Sequence, residues 1–166
     1  YHLLQPQLIQ QVLQDLNLNG ENVKTRDTPA QSSKVLIAHT QADPFNGHFH
    51  YRSVLRKLNH LKRCTHPDIS YAIHQCTWYA SNPKEPHGHA IKWLGRYLLK
   101  TKDKGYLMQI DPKASFIVWA NSDFSGNWDP NHAMHDPMTA RSRSRFFITY
   151  MGVPLLWKSQ LQTEIA

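Results

Sequence analysis

Apolar positions recur along this chain with two periods. Up to residue 104 they follow helical spacing, and beyond it they fall into short runs of β-branched and aromatic residues. Leu8, Ile9, Val12, Leu13 and Leu16 line one side of a predicted helix with Pro6 in its first turn and Asn17, Asn19 and Gly20 at its end. Such a stripe predicts core contacts. Residues 20–50 are polar and irregular, which predicts a linker or surface-hugging loop with one short strand at residues 35–38.

Three helices are predicted over 51–100. Tyr51, Val54, Leu55, Leu58 and Leu61 form the apolar stripe of the first, with Arg56, Lys57, Lys62 and Arg63 elsewhere on its surface. The second has Pro67 in its first turn behind Thr65 or His66 as cap. It buries Ile69, Ala72, Ile73, Cys76 and Ala80, and Ser81-Asn82-Pro83 stops it. The third opens near Pro86 and buries Ala90, Ile91, Leu94, Tyr97 and Leu98. Its other side carries Lys92, Arg96 and Lys100 at i, i+4 and i+8, one basic ridge.

After Gly105, strands are predicted at 106–110 and 116–119, joined as a hairpin through Asp111-Pro112-Lys113. A long polar loop follows over 126–144. A second hairpin, 146–151 with 155–158, closes around Gly152-Val153-Pro154. The expected class is α+β with a mostly antiparallel sheet.

Charge sharpens this division. The chain of 166 residues carries +7, yet residues 51–104 alone hold eleven Lys and Arg against three Asp and Glu, a net +8. A basic middle third favours phosphate backbones as partners, against the blander reading of a solvated helical surface. No apolar run reaches membrane-span length, so no membrane partner is expected. Two Cys are too few for a disulfide framework, and a reducing, intracellular setting in cytoplasm or nucleus is expected. The opening Tyr1-His2-Leu3 lacks Met and any signal-peptide layout, which suggests a piece of a longer chain.

The helical block carries a resemblance. YRSVLRKLNHLKRCTHPDISYAIHQC followed by SNPKEPHGHAIKWLGRYLLKTKDKG is similar to the signature of Ty1/copia-type retrotransposon Pol polyproteins. That signature runs YRSxxGxLxYL, TRPDIxYA, NPxxH and RYLxxTxDxG. QPQLIQQVLQDL resembles the segment after that family's polymerase palm. Two positions depart from the pattern: Arg56 stands for a usual Gly and His66 for a usual Arg. If that Gly allows close helix approach, Arg56 forces a gap in the bundle or swings into solvent.

The resemblance continues through SFIVWANSDFSGNWD at 115–129, which looks like the opening strand of the family's ribonuclease H domain. The first aspartate of the family pattern, a metal ligand, falls on Asn121; Asp123 matches the second. An asparagine cannot supply the anionic oxygen that a two-metal site needs. The family continues past Thr163-Glu164-Ile165-Ala166 into a helix with the next catalytic glutamate, and no YxDD-type polymerase motif occurs in the chain.

The resemblance implies three regions. Residues 1–50 end the reverse transcriptase region, 51–104 form a thumb- or connection-like helical segment, and 105–166 are the first strands of an incomplete RNase H-like sheet. It implies a fragment whose parent copies RNA into DNA and removes the RNA strand with Mg²⁺, while this piece catalyses neither step and needs no cofactor. Nucleic-acid binding through Lys57, Lys92, Arg96 and Lys100 is the expected residual property. The implied partners are an RNA–DNA hybrid or DNA duplex and the rest of the polyprotein. The alternatives are a non-catalytic protein-interaction module and a remnant without function.

Other constellations say less. Eleven His include no zinc-ligand spacing, and His87 reads as a helix-start residue. Arg141, Arg143 and Arg145 alternate on one side of an extended segment and read better as a charge-protected edge strand than as a phosphate contact. Asp129 and Asp136 read as turn formers. There is no glycine-rich phosphate loop and no Ser/His/Asp arrangement in a recognisable setting.

Overall fold

The change of period at residue 104 separates two packed units in the computed structural model, which describes residues 1–20, 22–31 and 36–163. One unit takes in Leu4–Gly105, and the other joins Tyr1–Leu3 to the chain from Tyr106 onward. The protein is α+β.

The helical unit contains α1 (Pro6–Asp15), α2 (Tyr51–Cys64), α3 (Ser70–Trp78) and α4 (Glu85–Thr101), with a 3-10 turn at Pro67–Ile69 leading into α3. Helix α1 packs on α2 and α4, and α3 also touches both α2 and α4. The periodic stripes meet in one core. Ile9 and Val12 of α1, Val54, Leu58 and Leu61 of α2, Ile73 of α3 and Ile91 and Leu98 of α4 are all sealed from water. Leu8, Ala80, Ala90 and Tyr97 pack at its margin. Arg56 is exposed, so it swings into solvent. Gly95 has a strict role: a Cβ there would lie 2.6 Å from Cδ1 of both Leu16 and Leu18, where the chain leaving α1 crosses α4. The buried Tyr51 hydroxyl donates to the Cys76 carbonyl at 3.0 Å, which satisfies the one polar atom that residue brings into the core. Cys64 and Cys76 are free thiols, and burial pushes that of Cys76 up to about 12.

Among its described residues the linker forms no strand where one was expected. Residue 35 lies outside the described residues, and 36–38 are irregular. Their backbone groups pair with side chains instead. The Tyr79 hydroxyl donates to Leu36 O at 3.1 Å, and His87 Nε2 donates to Ile37 O at 2.8 Å. His66 takes the N-cap position before the 3-10 turn but makes no side-chain cap bond.

In the second unit β1 (His2–Leu3) pairs with β2 (Tyr106–Leu107), and β3 (Phe116–Ser122), β4 (Arg143–Tyr150) and β5 (Val153–Leu161) form an antiparallel sheet in the order β3-β4-β5. The expected hairpin between 106–110 and 116–119 does not form. Strand β2 stops after two residues because its partner is the N-terminal strand, and the Asp111 amide donates to Met151 O beside the β4–β5 turn. That turn is Met151–Gly152, both at positive φ (50° and 77°), rather than Gly152-Val153-Pro154. Two consecutive left-handed residues match the right-handed twist of the flanking strands. A bulge follows where Pro154, which has no N–H to donate, enters the ladder opposite Thr149.

Strand β4 begins at Arg143, inside the stretch expected to be loop, and it is the central strand. Arg143 and Arg145 therefore do not protect an edge: Arg143 is buried and Arg145 stands opposite Asn121 and Ser159. Directly opposed residues share a face. Phe116, Val118, Phe146, Ile148 and Leu156 lie on one face, and Ile117, Trp119, Phe147 and Trp157 on the other. Every residue of β3 is exposed.

Candidate nucleic-acid interface

Helix α4 carries the predicted ridge, and its start explains its orientation. Pro86 sits in the first turn, and the His87 ring reaches back so that Nδ1 accepts from the Lys84 amide at 2.9 Å. With Nδ1 accepting, the proton sits on Nε2, which donates to Ile37 O. The same ring stacks on Tyr79 at 4.3 Å between centroids. His87 is thus a helix-start residue held on every side. Glu85 in the first turn and Lys100 in the last complement the helix dipole. Burial of Ile91, Leu94 and Leu98 turns Lys92, Arg96 and Lys100 away from the core.

These three cations share a stripe, but the stripe is not bare. Residues 26–28 of the linker run along it. The Arg26 amide donates to Arg96 O at 3.3 Å, and the Arg26 guanidinium rests 4.0 Å from the centre of the Trp93 ring. Trp93 Nε1 donates to Thr28 O at 2.9 Å. Asp27 forms an ion pair with Lys100. The hydrogen bond from Lys100, and then its charge, hold the Asp27 carboxyl below its ordinary range. Lys92 has no ion-pair partner among the described residues, and Arg96 Nε is enclosed without a hydrogen-bond partner. Lys57 is not part of this ridge. It projects from α2 to Asp15 of α1 at 2.8 Å, which commits its charge to a helix–helix seam.

Arg26 and Trp93 are the contributors that sequence reasoning missed. A signal existed for Trp93: positions 93, 96 and 100 stand at i, i+3 and i+7, so an aromatic face is set among the cations. An aromatic ring beside several cations can stack a base or ribose while the cations hold phosphates. Nothing local to Arg26 announces its place, because a linker's path is not periodic.

The end of β3 is a second place to test. Asp123 Oδ1 accepts from the amides of Arg143 at 2.9 Å and Gly126 at 3.2 Å, and Oδ2 accepts from Arg145 Nη2 at 2.9 Å. Burial pushes this carboxyl upward, but those amides and the Arg145 charge outweigh it and hold its pKa below the ordinary value. Gly126 is required here, since a Cβ would meet Asp123 Cγ at 2.8 Å. Asp123 therefore pins the turn after β3 to β4. Asn121 is neutral and exposed on the adjoining ladder position. These residues do not fit a pair of Mg²⁺ ions: Asn121 has no anionic oxygen, and the Asp123 carboxylate already accepts from two amides and Arg145. Asp129 likewise serves its own loop, accepting from the Asn131 amide at 2.9 Å and meeting His132 Nδ1 at 2.9 Å. Among the described residues no group of three His, Cys, Asp or Glu is placed to hold a metal, and no helix is long and apolar enough to cross a membrane.

Comparison with known proteins gives relatives along most of the chain. It is 28% identical over 142 residues to the retrovirus-related Pol polyprotein from transposon RE2 of Arabidopsis thaliana, covering 83% of this chain and 9% of that polyprotein. It is 28% identical over 170 residues to the retrovirus-related Pol polyprotein from transposon TNT 1-94 of Nicotiana tabacum, covering 99% of this chain and 12% of the relative. The chain thus spans about a tenth of the length of these polyproteins. It is also 26% identical over 116 residues to Secreted RxLR effector protein 161 of Plasmopara viticola, covering 70% of this chain and 75% of that protein. No family model matches the chain, and no solved structure is a significant match.

Proposed function

We propose that this chain, a relative of the retrovirus-related Pol polyproteins of transposons, is a copia-type reverse transcriptase–RNase H segment that grips a nucleic-acid duplex along α4 and cuts nothing. The observation that carries this is the stripe of Lys92, Arg96 and Lys100 beside Trp93, on a helix whose opposite face is locked into a closed core. Cations on a rigid helix hold a phosphate backbone without reading sequence. The helical unit then plays the part of a thumb or connection. The sheet β3-β4-β5 stands for the opening strands of an RNase H-like domain. The Asn121 amide and the committed Asp123 support a silent site: neither offers a free carboxylate to a metal.

The test is an RNA–DNA hybrid titrated with the whole chain across a salt series. Affinity is expected to fall steeply with salt, with a log–log slope of about 0.9 per phosphate contact, as for B-DNA. Lys92→Ala and Arg96→Ala are each expected to flatten that slope by about one contact. Binding that ignores salt and both substitutions would overturn the reading. Asn121→Asp is expected to produce no Mg²⁺-dependent cleavage, because Asp123 remains tied to β4.

A non-catalytic protein-binding module is the second reading. The exposed apolar sheet face of Phe116, Val118 and Leu156 favours it. Absence of duplex binding, together with self-association or partner binding that Val118→Lys abolishes, would support that reading instead.

A further inference from the structure

We infer that residues 26–28 form a built-in competitor for the ridge: Asp27 occupies Lys100 where a backbone phosphate would sit, and duplex binding displaces it. This rests on the reading of α4 as a duplex-binding helix and adds its regulation. Four contacts join the segment to α4: the Arg26 amide on Arg96 O, the Arg26 guanidinium on Trp93, Trp93 Nε1 on Thr28 O, and the Asp27–Lys100 ion pair. The ion pair buries little. The Asp27 side chain is 82% exposed and that of Lys100 52%, so the pair lies in solvent and is readily screened. The segment has no regular secondary structure of its own to break.

The chemistry of the two ends differs. Asp27 puts an anion on the last cation of the ridge, which lowers the field that an approaching phosphate meets. Arg26 puts a cation over the face of Trp93 near its middle. Once Asp27 lifts away, Lys100 becomes a phosphate contact and Arg26 remains as a further cation beside Lys92 and Arg96. A strand too short to reach Lys100 gains nothing from displacing Asp27. A duplex that runs the length of the helix gains one contact. The segment thereby sets a threshold of length and charge for partners of the ridge.

The test compares wild type, Asp27→Asn, Lys100→Ala and the double variant, using a fluorescent RNA–DNA hybrid and anisotropy over a salt series. Asp27→Asn is expected to tighten binding about two- to fivefold, the range of an exposed ion pair. The salt slope should stay close to that of wild type, because Lys100 meets a phosphate in both complexes. In the Lys100→Ala background the same change should tighten binding distinctly less, by the change in net charge alone. Asp27→Asn matching wild type in affinity, while Lys92→Ala still weakens binding, would overturn the competitor and leave the ridge standing. Equal tightening with and without Lys100 would also overturn it, since the effect would then be net charge alone. Wild type that binds no duplex at low salt would overturn the ridge and the competitor together.

Discussion

The helical unit and the sheet unit spend similar apolar side chains in opposite ways. In the bundle, stripes from four helices close on one another, and Val54, Leu58 and Leu61 are 0% exposed. In the sheet, Val118 and Trp119 remain 52% and 59% exposed although they lie in a seven-residue strand with full ladder pairing. A helix needs only its stripe covered, and its neighbours supply that. A sheet has two faces, and each needs a second layer before its apolar residues become a core. The β unit is held by its backbone ladder and by polar pins such as Asp123, whereas the bundle is held by burial.

The largest expected effect tests that contrast directly. Leu58→Ala should cost about 2–5 kcal/mol, because it opens a cavity in a sealed core. Val118→Ala should cost about 1 kcal/mol or less, the spread of strand preference at an open site. Urea unfolding read through hydrogen exchange of α2 and β3 amides separates the two, and equal losses would break the comparison. Next comes Asp123→Ala, expected to cost about 1–2 kcal/mol because it leaves the Arg143 and Gly126 amides and Arg145 without their acceptor. The loss should appear in exchange at the β3–β4 end and leave the bundle protected.

Gly95→Ala is expected to lose about 1 kcal/mol net. The collision with Leu16 and Leu18 outweighs the gain in helix propensity of about 1 kcal/mol. A stabilised variant would show that the α1–α4 approach is looser than the bundle's closed core implies.

Acid should then separate the units. The Thr65 hydroxyl donates to Gln5 Oε1, so His66 Nδ1 donates to the Thr65 oxygen, and Nε2 is left enclosed without a partner. Burial lowers the His66 pKa below its ordinary 6.5, against a smaller upward pull from Asp68. The unfolded imidazole then binds protons where the folded one does not. Its stabilising contribution is complete above about 6.5 and is lost as pH falls from there through the folded value. Asp123 has a lowered carboxyl pKa, so its contribution persists until pH falls below about 3.8 and through the folded value. Exchange near α2 and α3 should therefore rise first on acidification and that at the β3–β4 end last, with His66→Gln flattening the first phase. The smallest effect is Lys57→Ala, about 1 kcal/mol or less in thermal unfolding, since its pair with Asp15 is partly solvated.

The helices and their buried faces were legible from period alone, from Ile9 to Leu98. So were the class and the strands at 116–119 and 155–158. Less of the β unit was readable. Strand β4 starts in an Arg-Ser repeat that looks like loop, because its polar residues are matched by Asn121 and Ser159 across the ladder and by Asp123 from the turn after β3. Strand β2 looked longer than it is, because its length depends on a partner more than a hundred residues away in the chain. At the candidate interface, Lys92, Arg96 and Lys100 could be placed on one stripe in advance. The covering of that stripe by Arg26 and Asp27 could not.

By itself the sequence determined which residues share a face, since 3.6- and 2-residue periods are properties of the local backbone. It also determined where the chain changes from helix to strand and where positive charge gathers. Only the tertiary structure decided which charges remain available. Lys100 meets Asp27 across 73 residues of chain, and Arg145 meets Asp123 across 22. Such pairs depend on the path of irregular segments, and no local periodicity encodes that path.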